Sequence, residues 1–306
     1  MHLKWVFFKL AFLYTRVYAF FCYYRKKKQQ RELEEKVRLF FAEKDPHRIK
    51  KIVRGIFELR GGRKMQRYLI PRIDDQFIQW FVAIEGLDHL DDALKEGKGV
   101  LMMAGHIGNP HIGFSVLRRM GYRITIIKGG KSKKAEYRKG RYSDPHEYTI
   151  FTEDAPLSKS SRERAGDVLR SGGTLYYSAD AFGGKRKVEV SFLRRNMAFA
   201  TGTLYLARQT RAIVLPFIHL YRHGKIQLIF GAPIDGGWKH GEEDYGRILS
   251  EFTGWMESII LKYPEEYMGI YGDTVPDHYY REMKKKGLAL QIPHPPPDLP
   301  LEGGGT

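Results

Sequence analysis

Two histidines bound the phrase HIGNPH, His106 to His111, inside the segment LMMAGHIGNPHIG. A histidine beside glycines, just past an apolar strand, can take a proton from an attacking group near neutral pH. It can equally serve as a capping or packing residue. Asp180, in YYSADAFGG, follows a second apolar strand and could orient an imidazole, hold a hydroxyl or cap its own turn. Metal chemistry is not expected: two histidines five positions apart share a helix face less well than two that are four apart, and neither H-E-x-x-H nor a cysteine cluster accompanies them. Nor is a cofactor expected, since there is no Walker motif and Gly129-Gly130 is too short a pattern for a dinucleotide loop.

The elements that must position these residues follow from local patterning. Val100 to Ala104 read as a buried strand, Gly105 and Gly108 allow a tight turn, and Asn109-Pro110 has the chemistry of a helix N-cap followed by a first-turn proline. The helix that follows carries Ile112, Val116, Leu117 and Met120 at core spacing and stops at Gly121. His106 therefore falls in the loop at the carboxyl end of a strand, where open α/β sheets bind ligands. Ser160 and Glu163 fit a capping box for a helix that ends at Gly172-Gly173, before a strand from Thr174 to Ser178. In a parallel sheet this sets Asp180 on the same rim as His106. Strands are also expected at Phe81 to Glu85, Tyr122 to Ile127, Val188 to Phe192, Ala212 to Ile218 and Ile226 to Phe230. Helices are expected at Leu87 to Lys95, Phe199 to Gln209 and Asp244 to Leu261, and Ile49, Ile52, Val53, Ile56 and Phe57 mark another that stops at Gly61-Gly62. The alternation is that of one elaborated α/β domain.

Composition narrows the partners. With 306 residues, 42% of them hydrophobic, and one cysteine, the chain can bury a large core without disulfides. Fifty-two basic against 35 acidic residues give a charge of +17, which implies an anionic partner. No nucleic acid is expected, because neither a zinc finger nor an RNP signature is present. From Leu3 to Tyr24 the chain is dense in aromatic and aliphatic residues, broken by Lys4, Lys9 and Arg16, and it ends in the basic cluster Arg25 to Lys28. Lys9 and Arg16 lie seven apart on one helical face, which suits a helix in the membrane interface more than one that crosses it. A span, or a helix packed on the body through its aromatics, is the alternative. No small-residue cleavage site follows, so a secretory signal is not the reading. The basic run from Lys128 to Arg141, including Arg138, is either a solvated face or a phosphate-recognition loop. The expected organisation is residues 1–28 as a membrane-anchoring helix with its basic flank, 29–285 as the α/β domain, and 286–306 as a proline-rich tail. That tail ends in LEGGGT, a glycine run of the kind cloning leaves behind. Nothing specifies an oligomer.

Taken in order, these segments resemble the lysophospholipid acyltransferase superfamily, and within it the bacterial lipid A biosynthesis lauroyl/myristoyl acyltransferases. The resemblance rests on HIGNPH against a motif of the form H-x4-D/E, on SFLRRNMAFATGTLYLARQTRAIVLPF, and on YPEEYMGIYGD against a terminal P-E-Q-Y signature; it covers roughly residues 1 to 275. It implies an α/β fold with a mixed, largely parallel central sheet flanked by helices and an N-terminal membrane-associated helix. It also implies an enzyme of the bacterial inner membrane, on its cytoplasmic face, that moves a fatty acyl group from acyl-ACP or acyl-CoA to an anionic membrane lipid or glycolipid. His106 would be the base. The chain departs from the pattern at His111, which stands where the motif carries a carboxylate and, near the positive end of a helix, is disfavoured as a cation. Asp180 is then the candidate orienter, and His111 either binds the acceptor or shares a proton with His106. A scaffold that binds lipid without catalysis is the alternative. Amides at Gly108 and Asn109 are expected donors to the thioester oxyanion, and Lys128, Arg138, Arg194 and Arg195 are expected contacts for acceptor or carrier phosphates.

Overall fold

The computed structural model describes residues 2–108, 110–129, 148–152, 159–180, 186–222, 225–239 and 243–270; for residues 2–4, 63–68, 128–129, 148–152 and 159–160 it describes the backbone. The chain opens with three helices, α1 (His2–Arg25), α2 (Lys27–Phe41) and α3 (Pro46–Leu69), and then α4 (Asp75–Phe81), whose N-cap Asp74 accepts the Phe77 N–H at 2.9 Å. Strands and helices then alternate: β1 (Val82–Glu85), α5 (Leu87–Lys95), β2 (Val100–Ala104), α6 (Pro110–Arg119), β3 (Ile124–Gly129), β4 (Tyr148–Thr152), α7 (Lys159–Arg170) and β5 (Thr174–Ser178). A hairpin of β6 (Lys187–Phe192) and β7 (Arg195–Ala200) precedes α8 (Gly202–Thr210), β8 (Ile213–Arg222), β9 (Lys225–Phe230) and α9 (Glu243–Lys262). Two short 3-10 turns, Pro264–Glu266 and Met268–Ile270, follow.

Seven strands form the central sheet in the order β1-β9-β8-β2-β5-β3-β4, with every neighbouring pair parallel except β8 and β9. This is the expected mixed, largely parallel sheet flanked by helices. β2 lies near its middle and is buried at all five positions, as a parallel strand covered on both faces must be. Its alternate side chains go to opposite layers. Leu101 and Met103 join Leu204, Phe252 and Met256 on one side, and Val100, Met102 and Ala104 join Ile112, Val116 and Phe217 on the other.

Several expectations are corrected. Gly61-Gly62 does not stop α3; the helix runs on to Leu69, and the two glycines instead admit close neighbours. A Cβ at Gly61 would stand 3.0 Å from the Thr15 carbonyl, and one at Gly62 would stand 3.3 Å from the Tyr221 ring. Phe199 and Ala200 close β7 rather than opening a helix, and Phe81 ends α4 rather than beginning β1. Met120 lies past the end of α6 and is exposed, and α7 begins one residue before Ser160, the expected cap. The proline-rich tail lies outside the described residues.

α1 packs on the body, one of the three arrangements weighed from sequence. It is long and apolar enough to cross a membrane over Trp5–Arg25, yet Phe8, Phe12, Ala19 and Tyr23 are buried against the body.

Candidate active site

The site begins with the pairing of β2 and β5. Ala104 stands opposite Ser178, and one further bond, from the Ala179 N–H to the Ala104 carbonyl at 2.7 Å, carries the two chains beyond the sheet side by side. His106 and Asp180 therefore leave the same rim as neighbours, although 74 positions separate them. His106 Nδ1 lies 2.6 Å from Asp180 Oδ1, and the His106 main-chain N–H donates to both carboxylate oxygens, at 3.0 and 2.9 Å. A carboxylate only accepts, so it draws the imidazole proton onto Nδ1 and leaves the lone pair on Nε2. Asp180 is wholly buried, whereas the His106 side chain is 27% exposed. This is a buried anion behind a ring that solvent can reach. Tyr177, three residues before Asp180, has its phenol pushed up to about 12, chiefly by burial, with the Asp180 charge adding to it. It is a neutral hydroxyl at working pH.

The opposite side of the His106 loop is held by main chain from residues 264–270. Met268 N–H donates to the His106 carbonyl at 2.8 Å, Gly108 N–H donates to the Glu266 carbonyl at 2.9 Å, and Ile107 bridges Tyr267 in antiparallel fashion. Glu266 is buried, and its Oε1 accepts the Tyr221 N–H of β8 at 3.3 Å. Two glycines make the loop path possible. A Cβ at Gly105 would collide with Met256 Sδ of α9, and Gly108 has φ +61° and presses on the His219 carbonyl.

Two of the remaining expected site residues, Gly108 and Arg195, are engaged elsewhere. The Gly108 N–H is already given to Glu266, so Gly108 is not available as an oxyanion donor. Arg195 gives its guanidinium to the end of α2, with Nη2 2.6 Å from the Leu39 carbonyl and Nη1 3.4 Å from that of Phe40, and stacks on the Phe40 ring. A cation closing the carbonyl end of a helix is a structural contact and not a phosphate site. Arg194 is exposed at the β6–β7 turn. There Leu193 and Arg194 both have positive φ, and the Leu193 N–H donates to Glu257 Oε2 at 2.9 Å. His111 is the second residue of α6, half-buried, and its carbonyl accepts the Ser115 hydroxyl at 2.9 Å. Asn109, Arg138 and the Lys128 side chain lie outside the described residues.

Residues 256, 257 and 264–268 were missed as supports of the site. The YPEEYMG stretch carries a sequence signature, but its bonds to the loop are mostly main-chain bonds and leave no residue-type signal.

The profile of the family described as bacterial lipid A biosynthesis acyltransferase matches residues 7–271. The chain belongs to this family. Among curated proteins no sequence matches it. Among solved structures, the 1-acyl-sn-glycerophosphate (LPA) acyltransferase PlsC from Thermotoga maritima is similar at 14% identity and a TM-score of 0.40, covering 82% of this chain and 98% of that one. The lipid A acyltransferase match takes in α1 from Phe7, the His106 loop, Asp180 and the 264–270 segment together.

Proposed function

We propose that this family member transfers a fatty acyl group from acyl-ACP or acyl-CoA to a hydroxyl or amine of a glycolipid or phospholipid, at the cytoplasmic face of a bacterial inner membrane, with His106 as general base and Asp180 as its orienting carboxylate. The observation that carries this reading is the 2.6 Å contact between a buried carboxylate and Nδ1, which leaves Nε2 as the proton acceptor. In the proposed step Nε2 takes the acceptor proton as the acceptor oxygen or nitrogen attacks the thioester carbon. The tetrahedral intermediate then expels the carrier thiolate, and the imidazolium returns the proton to sulfur. Asp180 stabilises the transient imidazolium without itself taking the proton. General-base catalysis of this kind is worth roughly 10²- to 10⁴-fold.

His111 is proposed to contact the acceptor from the first turn of α6. Arg194 and Lys128 are proposed phosphate contacts. One observation favours a second reading, in which the scaffold binds lipid without transferring acyl groups: position 111 holds histidine where the family motif has an acid. The two are separated by incubating wild type and His106→Ala with acyl-ACP and acyl-CoA donors and a membrane lipid extract, then following donor loss and new lipids by mass spectrometry. A new acyl lipid made by wild type and not by the folded variant supports transfer. Bound lipid with no donor-dependent product from wild type overturns it.

A further inference from the structure

Ten of the thirteen large hydrophobic residues that stand exposed among the described residues lie on α1; the other three, Met120, Tyr205 and Leu261, are scattered. Single exposed apolar residues need no explanation, but a continuous apolar face does. At 100° per residue, Phe8, Phe12, Thr15, Ala19 and Tyr23 form one stripe and are buried against the body, whereas Val6, Leu13, Val17 and Tyr24 share the opposite stripe and are exposed. Lys9 and Arg16 fall on the flank between the two, and Arg16 reaches Glu58 of α3 at 3.7 Å.

The body-facing stripe decides how α1 can meet a bilayer. It runs from Phe8 to Tyr23, about 22 Å. A helix free of the body could stand upright in a hydrocarbon core about 30 Å thick. α1 could do so only by taking α3 and the end of β8 with it, including exposed Lys50, Lys51 and Arg54. Charge at the same edge favours the other orientation. Arg25, Lys26, Lys27 and Lys28 are all exposed just past the outer stripe. Arg54 lies beside them, with Nη2 3.5 Å from the Tyr24 hydroxyl and its guanidinium over the Tyr23 ring, and Lys50 stands one turn earlier on the same face of α3. These cations complement anionic headgroups, and Trp5 and Tyr14, off the outer stripe, are side chains suited to the headgroup boundary.

We infer that α1 lies in the plane of the membrane as a ridge embedded in one leaflet, its outer stripe among the acyl chains and Arg25 to Lys28, Lys50 and Arg54 on anionic headgroups, so that the chain is held by a single leaflet and does not cross. The arrangement also orients the rim that carries His106. Phe12 packs on Tyr221, the Tyr221 N–H donates to Glu266, and the Glu266 carbonyl accepts the Gly108 N–H, so three contacts join the ridge to the histidine loop. The inference rests on the membrane-associated part of the proposed function and is independent of acyl transfer.

The test uses the full-length protein on vesicles of phosphatidylcholine with and without phosphatidylglycerol. Cys22 is the single cysteine, so a Cys22→Ser background accepts Val6→Cys, Leu13→Cys, Val17→Cys and Tyr24→Cys, one at a time, each carrying a nitroxide label. Depth is then read from relaxation by oxygen against a water-soluble nickel reagent. The expected result is the same depth at all four positions, although Val6 and Tyr24 are about 27 Å apart along the helix. Labels that are deepest at positions 13 and 17 and shallow at 6 and 24 would show a span and overturn the inference. So would water-exposed labels on a protein that dimerises through α1. Leu13→Asp with Phe20→Asp is expected to weaken vesicle binding on the order of a hundredfold with the melting temperature kept, because both side chains are exposed. Each of Lys26→Gln, Lys27→Gln and Lys28→Gln is expected to weaken binding about fivefold on anionic vesicles only. Lost acyl transfer with an intact depth profile would count against the proposed function alone, and the reverse result against the in-plane helix alone.

Discussion

The His106 loop is gripped from two sides by different means. On the sheet side a buried side chain does the work: both Asp180 oxygens receive the loop's N–H, and one of them faces Nδ1. On the other side residues 266–268 hold the loop mainly through peptide groups. The first grip sets the electronic state of the ring, and the second sets where the ring stands. A change of one side-chain atom can therefore break the first, whereas the second yields only to changes that alter the chain path.

The largest effect is expected from Asp180→Asn. Its amide can present a donor to Nδ1 and force the proton onto Nε2, so kcat is expected to fall on the order of 10³- to 10⁴-fold with KM nearly unchanged. Steady-state kinetics on the folded variant check this, and a loss confined to KM would mean that the carboxylate merely shapes the pocket. Next comes Gly105→Ala, whose added methyl meets Met256 Sδ and stands 3.6 Å from Asp180 Oδ2. A stability loss of about 1–3 kcal/mol in denaturant melts, together with reduced kcat, is the expected outcome. Glu266→Gln should be milder, because the amide oxygen can still accept the Tyr221 N–H and the main-chain bonds remain; kcat is expected to stay within about threefold. A drop as large as that of Asp180→Asn would erase the distinction between the two grips. His111→Ala is expected to raise KM with kcat within about tenfold. Equality with His106→Ala would instead make the pair one functional unit.

The smallest effect lies in the alkaline limb of stability. Tyr177 ordinarily titrates near 10 and here near 12, so its neutral form is favoured by folding. That contribution is present below about pH 10 and is lost as pH rises toward 12. Thermal melts across this window should show a smaller loss in Tyr177→Phe than in wild type, the remainder coming from Tyr122, Tyr176 and Tyr221, whose phenols are also raised, and a reduced loss in Asp180→Asn, which removes one cause of the Tyr177 shift.

How much of this could be read from residues alone differs between the two grips. Val100 to Ala104 are apolar throughout and end at glycine, and Thr174 to Ser178 follow a glycine pair, so two parallel strands leaving His106 and Asp180 on one rim follow from elementary rules. The main-chain grip has no such signature, since any residue can supply a peptide N–H. β7 was hidden for a related reason: the β6–β7 turn puts Leu193 and Arg194 at positive φ, where a sequence reader looks for glycine or asparagine. Arg194-Arg195 then reads as a pair of phosphate contacts, although the second closes α2. Gly61-Gly62 reads as a stop because glycine does end helices; its use as a close-contact surface depends on Thr15 and Tyr221, which come from distant parts of the chain.

The seating of α1 bears on how the protein can be handled. An apolar N-terminal helix invites removal to make a catalytic domain easier to express. Here trimming residues 1–25 would strip Phe8, Phe12 and Tyr23 from their aromatic neighbours and uncover Tyr221, whose amide is tied to Glu266. The shortened polypeptide would present a raw hydrophobic trench beside the histidine loop, so solubilisation by truncation would yield an aggregating protein with a disturbed reaction centre, and detergent or nanodisc preparation of the full chain is the sounder route to an assay.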